Sequence, residues 1–181
     1  MKIVETSLPG VLLLTPTMYH DNRGAFCETW NKKRFADAGL PTEWVQDNCS
    51  YSGKNVVRGI HYQVVQPQAK LLRAAQGMVL DVAVDLRRSS PAFGRHVAVT
   101  LKAEEGQMLY IPIGFGHGFA ALTENASLAY KVTDYYCPAG ERTILWNDRE
   151  LGIDWTVPDE IAIISDKDRN GRPLREADLF S

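Results

Sequence analysis

The apolar residues of this chain come in short runs, and that restricts what it can fold into more than anything else about it. Residues 11–14, 79–86, 97–101, 108–111, 128–133 and 143–146 form runs of four to eight, mostly β-branched or aromatic. Runs of that length and type, bounded by turn formers, predict strands. The turn formers are present at Asn22-Arg23-Gly24, Ser52-Gly53-Lys54-Asn55 and Glu104-Glu105-Gly106. One early segment, 31–38, reads as helical, with Asn31 placed to cap it and Gly39 to stop it. Many short strands and few helices predict an all-β sandwich or barrel, because closure is the usual way to remove exposed edges.

Composition bounds the partners. A chain of 181 residues fills one core, so a single domain over 1–181 is expected, with its strands in about 10–150 and a polar tail, 156–181, wrapped over them. A net charge of −2 gives no bulk attraction to nucleic acid, so no nucleic-acid partner is expected and the ligand should be small. Neither a charged-then-apolar leader nor a bilayer-length apolar run is visible, which predicts a cytoplasmic protein with no membrane partner. Cys27, Cys49 and Cys137 are odd in number and lack CxxC spacing, so they are expected to be reduced thiols rather than a disulfide framework or zinc knuckle.

Between runs of Val, Leu and Ala, the stretch 56–77 (VVRGIHYQVVQPQAKLLRAAQG) carries Arg58, His61 and Lys70 on two short strands joined by a Gln/Pro turn. In a regular strand His61 shares a face with Val57 and Gln63, and Arg58 shares the other with Ile60 and Tyr62. Gly59 lies between the two basic residues, and a glycine inside a strand often marks a bulge that re-aims its neighbour. With a bulge, both basic groups face one cavity. Without it, a surface Arg and a core His explain them equally well.

A second landmark, 106–125, has G-x5-P-x-G-x2-H spacing from Gly106 through Pro112 and Gly114 to His117, and resembles the second motif of cupins. That resemblance implies a jelly-roll barrel with His117 aimed inside. Where a metal-binding cupin has H-x-H and then Glu, this chain has His61, Gln63 and Lys70. A cation in place of a carboxylate repels a divalent ion, and two imidazoles are too few to hold one, so no metal is expected.

Successive blocks carry a closer resemblance: DNRGAFCE (21–28), QDNCSYS (46–52), VRGIHYQ (57–63), QAKLLR (68–73), DVAVDLR with SPAFG (81–94), IPIGFGHGFAAL (111–122), YKVTDYY (130–136), WNDRELGIDW (146–155) and SDKDR (165–169). In this order they resemble the dTDP-4-dehydrorhamnose 3,5-epimerase family. Gly116, where the family often has Ala, and Thr156, where Pro is common, depart from it.

The resemblance implies a cofactor-free isomerase that inverts C3 and C5 of dTDP-4-dehydro-6-deoxyglucose. Both carbons flank the C4 ketone, so their C–H bonds are acidic enough for a base on one face, an acid on the other and a stabiliser for the enolate. It implies His61 as base with Asp168 fixing its tautomer, Tyr130 as acid and Lys70 at the enolate oxygen. Apart from the resemblance, Asp168 reads as a surface carboxylate in a charged tail. Arg23 and Arg58 would bind the diphosphate, and Glu28, Gln46, Asn48, Glu141 and Lys167 would complete the nucleotide and sugar contacts. Tyr136, expected on the same strand face as Tyr130, would stack on thymine, and His117 would hydrogen-bond near the ring. Phe26 and Phe119 could line the pocket, but core packing is the role expected of them. The family also implies a homodimer joined near the N-terminus, in which Arg23 and Glu28 serve either their own or the neighbouring site.

Overall fold

The short apolar runs pair into two antiparallel sheets. The computed structural model describes all residues, 1–181. In chain order the elements are β1 (Lys2–Glu5), β2 (Leu12–Thr15), β3 (Met18–Asp21), β4 (Gly24–Cys27), α1 (Lys32–Asp37), β5 (Gln46–Ser52), β6 (Val57–Gln63) and β7 (Lys70–Gln76). They continue with β8 (Met78–Asp85), β9 (His96–Lys102), β10 (Met108–Ile111), β11 (Phe115–Ala121), β12 (Ala126–Val132), β13 (Glu141–Thr143) and α2 (Asp166–Arg169). One sheet runs β1-β2-β10-β7-β12-β5, the other β13-β6-β11-β8-β9, and β3 and β4 form a separate hairpin. This is an all-β, cupin-like jelly roll with two short helices. No helix is long and apolar enough to cross a membrane.

Burial explains which runs go where. Leu72, Leu109, Leu128, Val79, Leu101 and Phe119 come from both sheets and meet in one apolar cluster. On the other face of the five-stranded sheet, Val57, Ile60, Val82 and Val84 pack against Trp146 and Trp155 and against Val157, Ile164 and Leu174 from the tail. Strands β8 and β11 are therefore covered on both sides and buried almost throughout. Each large apolar side chain buried this way contributes about 1.5–3 kcal/mol. The tail thus supplies a whole wall of core. Trp155 is fixed there by its Nε1–H, which donates to the Trp146 carbonyl at 2.7 Å.

Helix α1 forms as expected, with the Asn31 side chain accepting from the Arg34 N–H at 3.1 Å and Gly39 at φ +69 ending it. It lays Phe35 against Leu14, Leu71 and Met108 of the six-stranded sheet.

The bulge at Gly59 is present. His117 pairs with His61 and Phe119 with Arg58, so Gly59 and Ile60 together oppose the single residue Gly118. Gly59 sits at φ +117, and a Cβ there would lie 2.5 Å from the Gly118 Cα, which excludes any other residue. Ile60 turns into the core behind the sheet, while Arg58 and His61 both turn to the other side.

Two expectations, a shared strand for Tyr130 and Tyr136 and a buried Phe26, are not met. Strands β6 and β7 fall in different sheets, so the turn between them crosses the end of the barrel. Strand β12 stops at Val132, so Tyr136 is not on the strand of Tyr130 but in the loop beyond it. Phe119 is core, as expected, but also lines the cavity described below, whereas Phe26 is 70% exposed and is not core. The departure at Gly116 has a packing reason, since a Cβ there would overlap Ile60 Cγ2. Thr156 adopts φ +57, which a proline ring forbids.

Candidate active site

The two sheets enclose a cavity of about 380 Å³. Arg58, His61, His117 and Phe119 reach it from the five-stranded sheet, together with Glu141 of β13. From the six-stranded sheet come Gln46, Asn48, Lys70 and Tyr130. Their register explains the convergence: Tyr130 lies opposite Asn48, and Val132 opposite both Gln46 and Lys70, so these residues share the inward face. Tyr136 and Lys167 also line it, both exposed at its mouth. A groove of about 440 Å³ lies toward the opposite face of the six-stranded sheet, lined by Trp30, Leu71, Arg73, Met108 and Lys131, and contains no imidazole.

The reactive groups are held from behind. His61 Nε2 lies 2.5 Å from Asp168 Oδ1, and the Gly59 N–H donates to the other carboxylate oxygen at 3.1 Å. Asp168 is 2% exposed and is not the surface carboxylate that its charged neighbours suggest. Ser165 caps α2 by accepting from the Asp168 N–H, and this single turn faces Asp168 inward while Asp166 and Lys167 stay outside. Burial works to raise the Asp168 carboxyl. The His61 hydrogen bond and charge, with the Gly59 N–H, outweigh it and hold the group below the usual carboxylate range. With Nε2–H donating to Asp168, Nδ1 is left as the basic nitrogen of His61.

Beside it on β11, His117 places Nε2 3.0 Å and 3.1 Å from the carboxylate oxygens of Asp81, a residue the sequence reading missed. Burial pushes the His117 imidazolium down despite that carboxylate, so the ring is a neutral donor. The missed signal was chemical: Asp81 is an acid in the middle of an apolar strand and is fully buried.

Lys70 is buried, and desolvation brings its ammonium down from 10.5 to about 8, against the pull of Asp81 and Glu141. Burial pushes the Tyr130 phenol up, away from that range. The charged lysine therefore costs folding stability below about pH 8. Between there and 10.5 the unfolded chain holds a proton that the folded chain has released, so this group's contribution rises with pH. For activity the sign is opposite, since the role expected of Lys70 at an enolate oxygen requires the cation. We expect kcat/KM to fall above about pH 8 in a pH–rate profile. A profile flat to pH 10, about two units beyond that value, would remove Lys70 from the chemistry.

Of the other expected site residues, Arg58 is steered by Ser52 Oγ at 3.2 Å and the Tyr51 carbonyl at 3.1 Å. Tyr136 donates to Glu141 Oε2 at 2.9 Å, and Lys167 pairs with Glu141 Oε1 at 2.5 Å. Arg23 and Glu28 do not reach this cavity. Arg23 sits at the β3–β4 turn, 85% exposed and paired with Asp21 at 2.7 Å, and Glu28 pairs with Arg34 at 3.3 Å. No three His, Cys, Asp or Glu side chains gather as a metal-ligand group.

A cupin-type barrel with a carboxylate-backed imidazole on one wall and a phenol and an ammonium on the other defines an enzyme equipped for acid–base chemistry. The family model described as dTDP-4-dehydrorhamnose 3,5-epimerase matches residues 5–176. The chain is 48% identical over 181 residues to the dTDP-4-dehydrorhamnose 3,5-epimerase of Pseudomonas aeruginosa, covering 99% of each. It superposes with a TM-score of 0.94 on the Legionella pneumophila dTDP-6-deoxy-D-glucose-3,5-epimerase solved with dTDP-4-keto-L-rhamnose, at 42% identity, covering 98% of this chain and 94% of that one. A 3'-monoepimerase from Streptomyces bikiniensis, solved with dTDP-quinovose, gives 0.87 at 36% identity, covering 94% and 86%. The chain belongs to the dTDP-4-dehydrorhamnose 3,5-epimerase family.

Proposed function

We propose that this protein is an isomerase that converts dTDP-4-dehydro-6-deoxyglucose to dTDP-4-dehydrorhamnose in the cytoplasm, inverting C3 and C5 without a metal. The observation that carries this reading is that His61 and Tyr130 approach one cavity from different sheets. A sugar held between them presents opposite ring faces to the two groups. Nδ1 of His61 takes the α-proton, and the electron pair moves into an enolate whose oxygen is stabilised by the Lys70 ammonium. The Tyr130 phenol then delivers a proton from the opposite face, re-forming the ketone with inverted configuration; His61 releases the abstracted proton to solvent and Tyr130 regains one from it, so both are reset for the second carbon. His117, whose Nε2–H is given to Asp81, accepts from a sugar hydroxyl through Nδ1, Arg58 and Lys167 hold the diphosphate, and Tyr136 stacks on thymine. Gln46, Asn48 and Glu141 complete the nucleotide and sugar contacts.

Incubation with the 4-keto sugar nucleotide in a strong chelator tests this. Full conversion to the doubly inverted product is expected, and loss of activity that iron restores would contradict it. The likeness to a 3'-monoepimerase supports a second reading, inversion at one carbon only. The product of the same incubation separates the two.

The exposed Arg23 supports assembly as a homodimer, in which the β3–β4 hairpin carries Arg23 and Glu28 to the neighbouring cavity. That hairpin leaves Tyr19 59% and Phe26 70% exposed, and β1 is an open sheet edge. Light scattering is expected to give twice the 20.2 kDa chain mass, and a monomer would refute the assembly.

A further inference from the structure

Gln63 ends β6 two residues beyond His61, lines the cavity and is 5% exposed. An amide so placed is expected to hydrogen-bond a ligand. Here all its groups are directed to the protein instead. Nε2 donates to the Gln66 carbonyl at 2.7 Å and to the Tyr135 carbonyl at 3.2 Å, while Oε1 accepts from the Cys137 N–H at 2.9 Å. The last two contacts fall on either side of Tyr136.

The loop that carries Tyr136, residues 133–140, belongs to no strand. The Tyr136 side chain is not held by burial either, since the residue is 53% exposed. Besides Gln63, the loop backbone is pinned by Gln68, whose Nε2 donates to the Asp134 carbonyl at 2.7 Å, and by Gln46, which accepts the Tyr136 N–H at 3.1 Å.

We infer that Gln63, assisted by Gln68, is a positioning residue for the nucleotide base: it fixes the backbone on both sides of Tyr136 and so pre-sets the ring on which the base stacks. This rests on the stacking role proposed for Tyr136 above. An aromatic platform already in place loses little freedom when a ligand arrives, whereas a loose loop must be ordered at the expense of affinity. Gln63 therefore acts on nucleotide affinity, although it is a near neighbour of the base that moves protons.

The test is a double-mutant cycle read by calorimetry with dTDP alone, together with steady-state kinetics. Tyr136→Ala should weaken dTDP by at least about fivefold, the lower end for a base on an aromatic ring. Gln63→Met keeps the volume and removes the three hydrogen bonds. It should weaken dTDP and raise KM by roughly fivefold, leave kcat within about twofold, and add nothing to Tyr136→Ala. Unchanged affinity, a full additive loss on top of Tyr136→Ala, or a collapse of kcat would each overturn the inference. If Tyr136→Ala itself bound dTDP normally, the stacking role would fall first, which is a separate result. Should Gln63→Met not fold, Gln68→Met removes one pin of the same loop and is expected to show the same split; its absence there would equally overturn the inference.

Discussion

Replacing His61 by Ala should abolish turnover while leaving nucleotide binding in place. A positioned general base contributes about 10²–10⁴-fold, and in the proposed mechanism a single imidazole serves two carbons, so kcat should fall by about 10³-fold or more. The affinity for dTDP should stay within about threefold, because the lost group is assigned to the sugar and not to the nucleotide. The cavity makes this separation sharp. Arg58, Lys167 and Tyr136, the groups assigned to the diphosphate and the base, hold their positions through Ser52, Glu141 and the Tyr51 carbonyl, whereas His61 is hydrogen-bonded to Asp168. Stopped turnover with intact dTDP binding in calorimetry supports the assignment. Turnover equal to the parent's would refute His61 as the base, and loss of both activities together would point to a collapsed cavity.

Tyr130→Phe should separate two events that the parent enzyme couples. Without the phenol, His61 still removes the α-proton and Lys70 still stabilises the enolate, but the enolate can be reprotonated only from the side it was deprotonated. Exchange of the α-hydrogens with solvent should survive within about tenfold, while net inversion falls by about 100-fold. Proton NMR of the starting sugar in deuterated buffer would read the first and product analysis the second. The separation follows from the two groups residing on different sheets, β6 and β12. Equal loss of exchange and inversion would mean that Tyr130 acts on proton removal as well, and the two-wall arrangement would not hold.

Part of this site was legible in the sequence because its key turn needs a glycine, while Tyr130, Lys70 and Asp168 rested on the family resemblance. Gly59 left room for a bulge, and the bulge is what lets residues 58 and 61 face one cavity despite strand alternation. The helix at 32–37 was legible for the same local reason, a capping Asn and a stopping Gly. Asp168 was not, since nothing in Asp166-Lys167-Asp168 says which carboxylate turns inward. That choice depends on Ser165 closing one helical turn and on the distant Gly59 N–H. Strands β1, β3 and β4 were missed because they are exposed edges or hairpins with no buried face to impose alternation on the sequence. Strand β5 was missed because its inward face is polar, with Gln46, Asn48 and Ser50 lining the cavity. The role of Gln63 was not legible because two of its three partners are backbone groups of a loop some 70 residues away, which no spacing rule detects.

In the proposed mechanism one imidazole and one phenol work on opposite faces of a keto-sugar at two carbons. Running the reaction to completion in D2O and assigning the product by NMR tests it without any variant. The product should carry one solvent deuterium at C3 and one at C5, both centres inverted. Inverted product that keeps its original hydrogens would contradict the mechanism, and deuterium at one carbon alone would confine the enzyme to a single inversion.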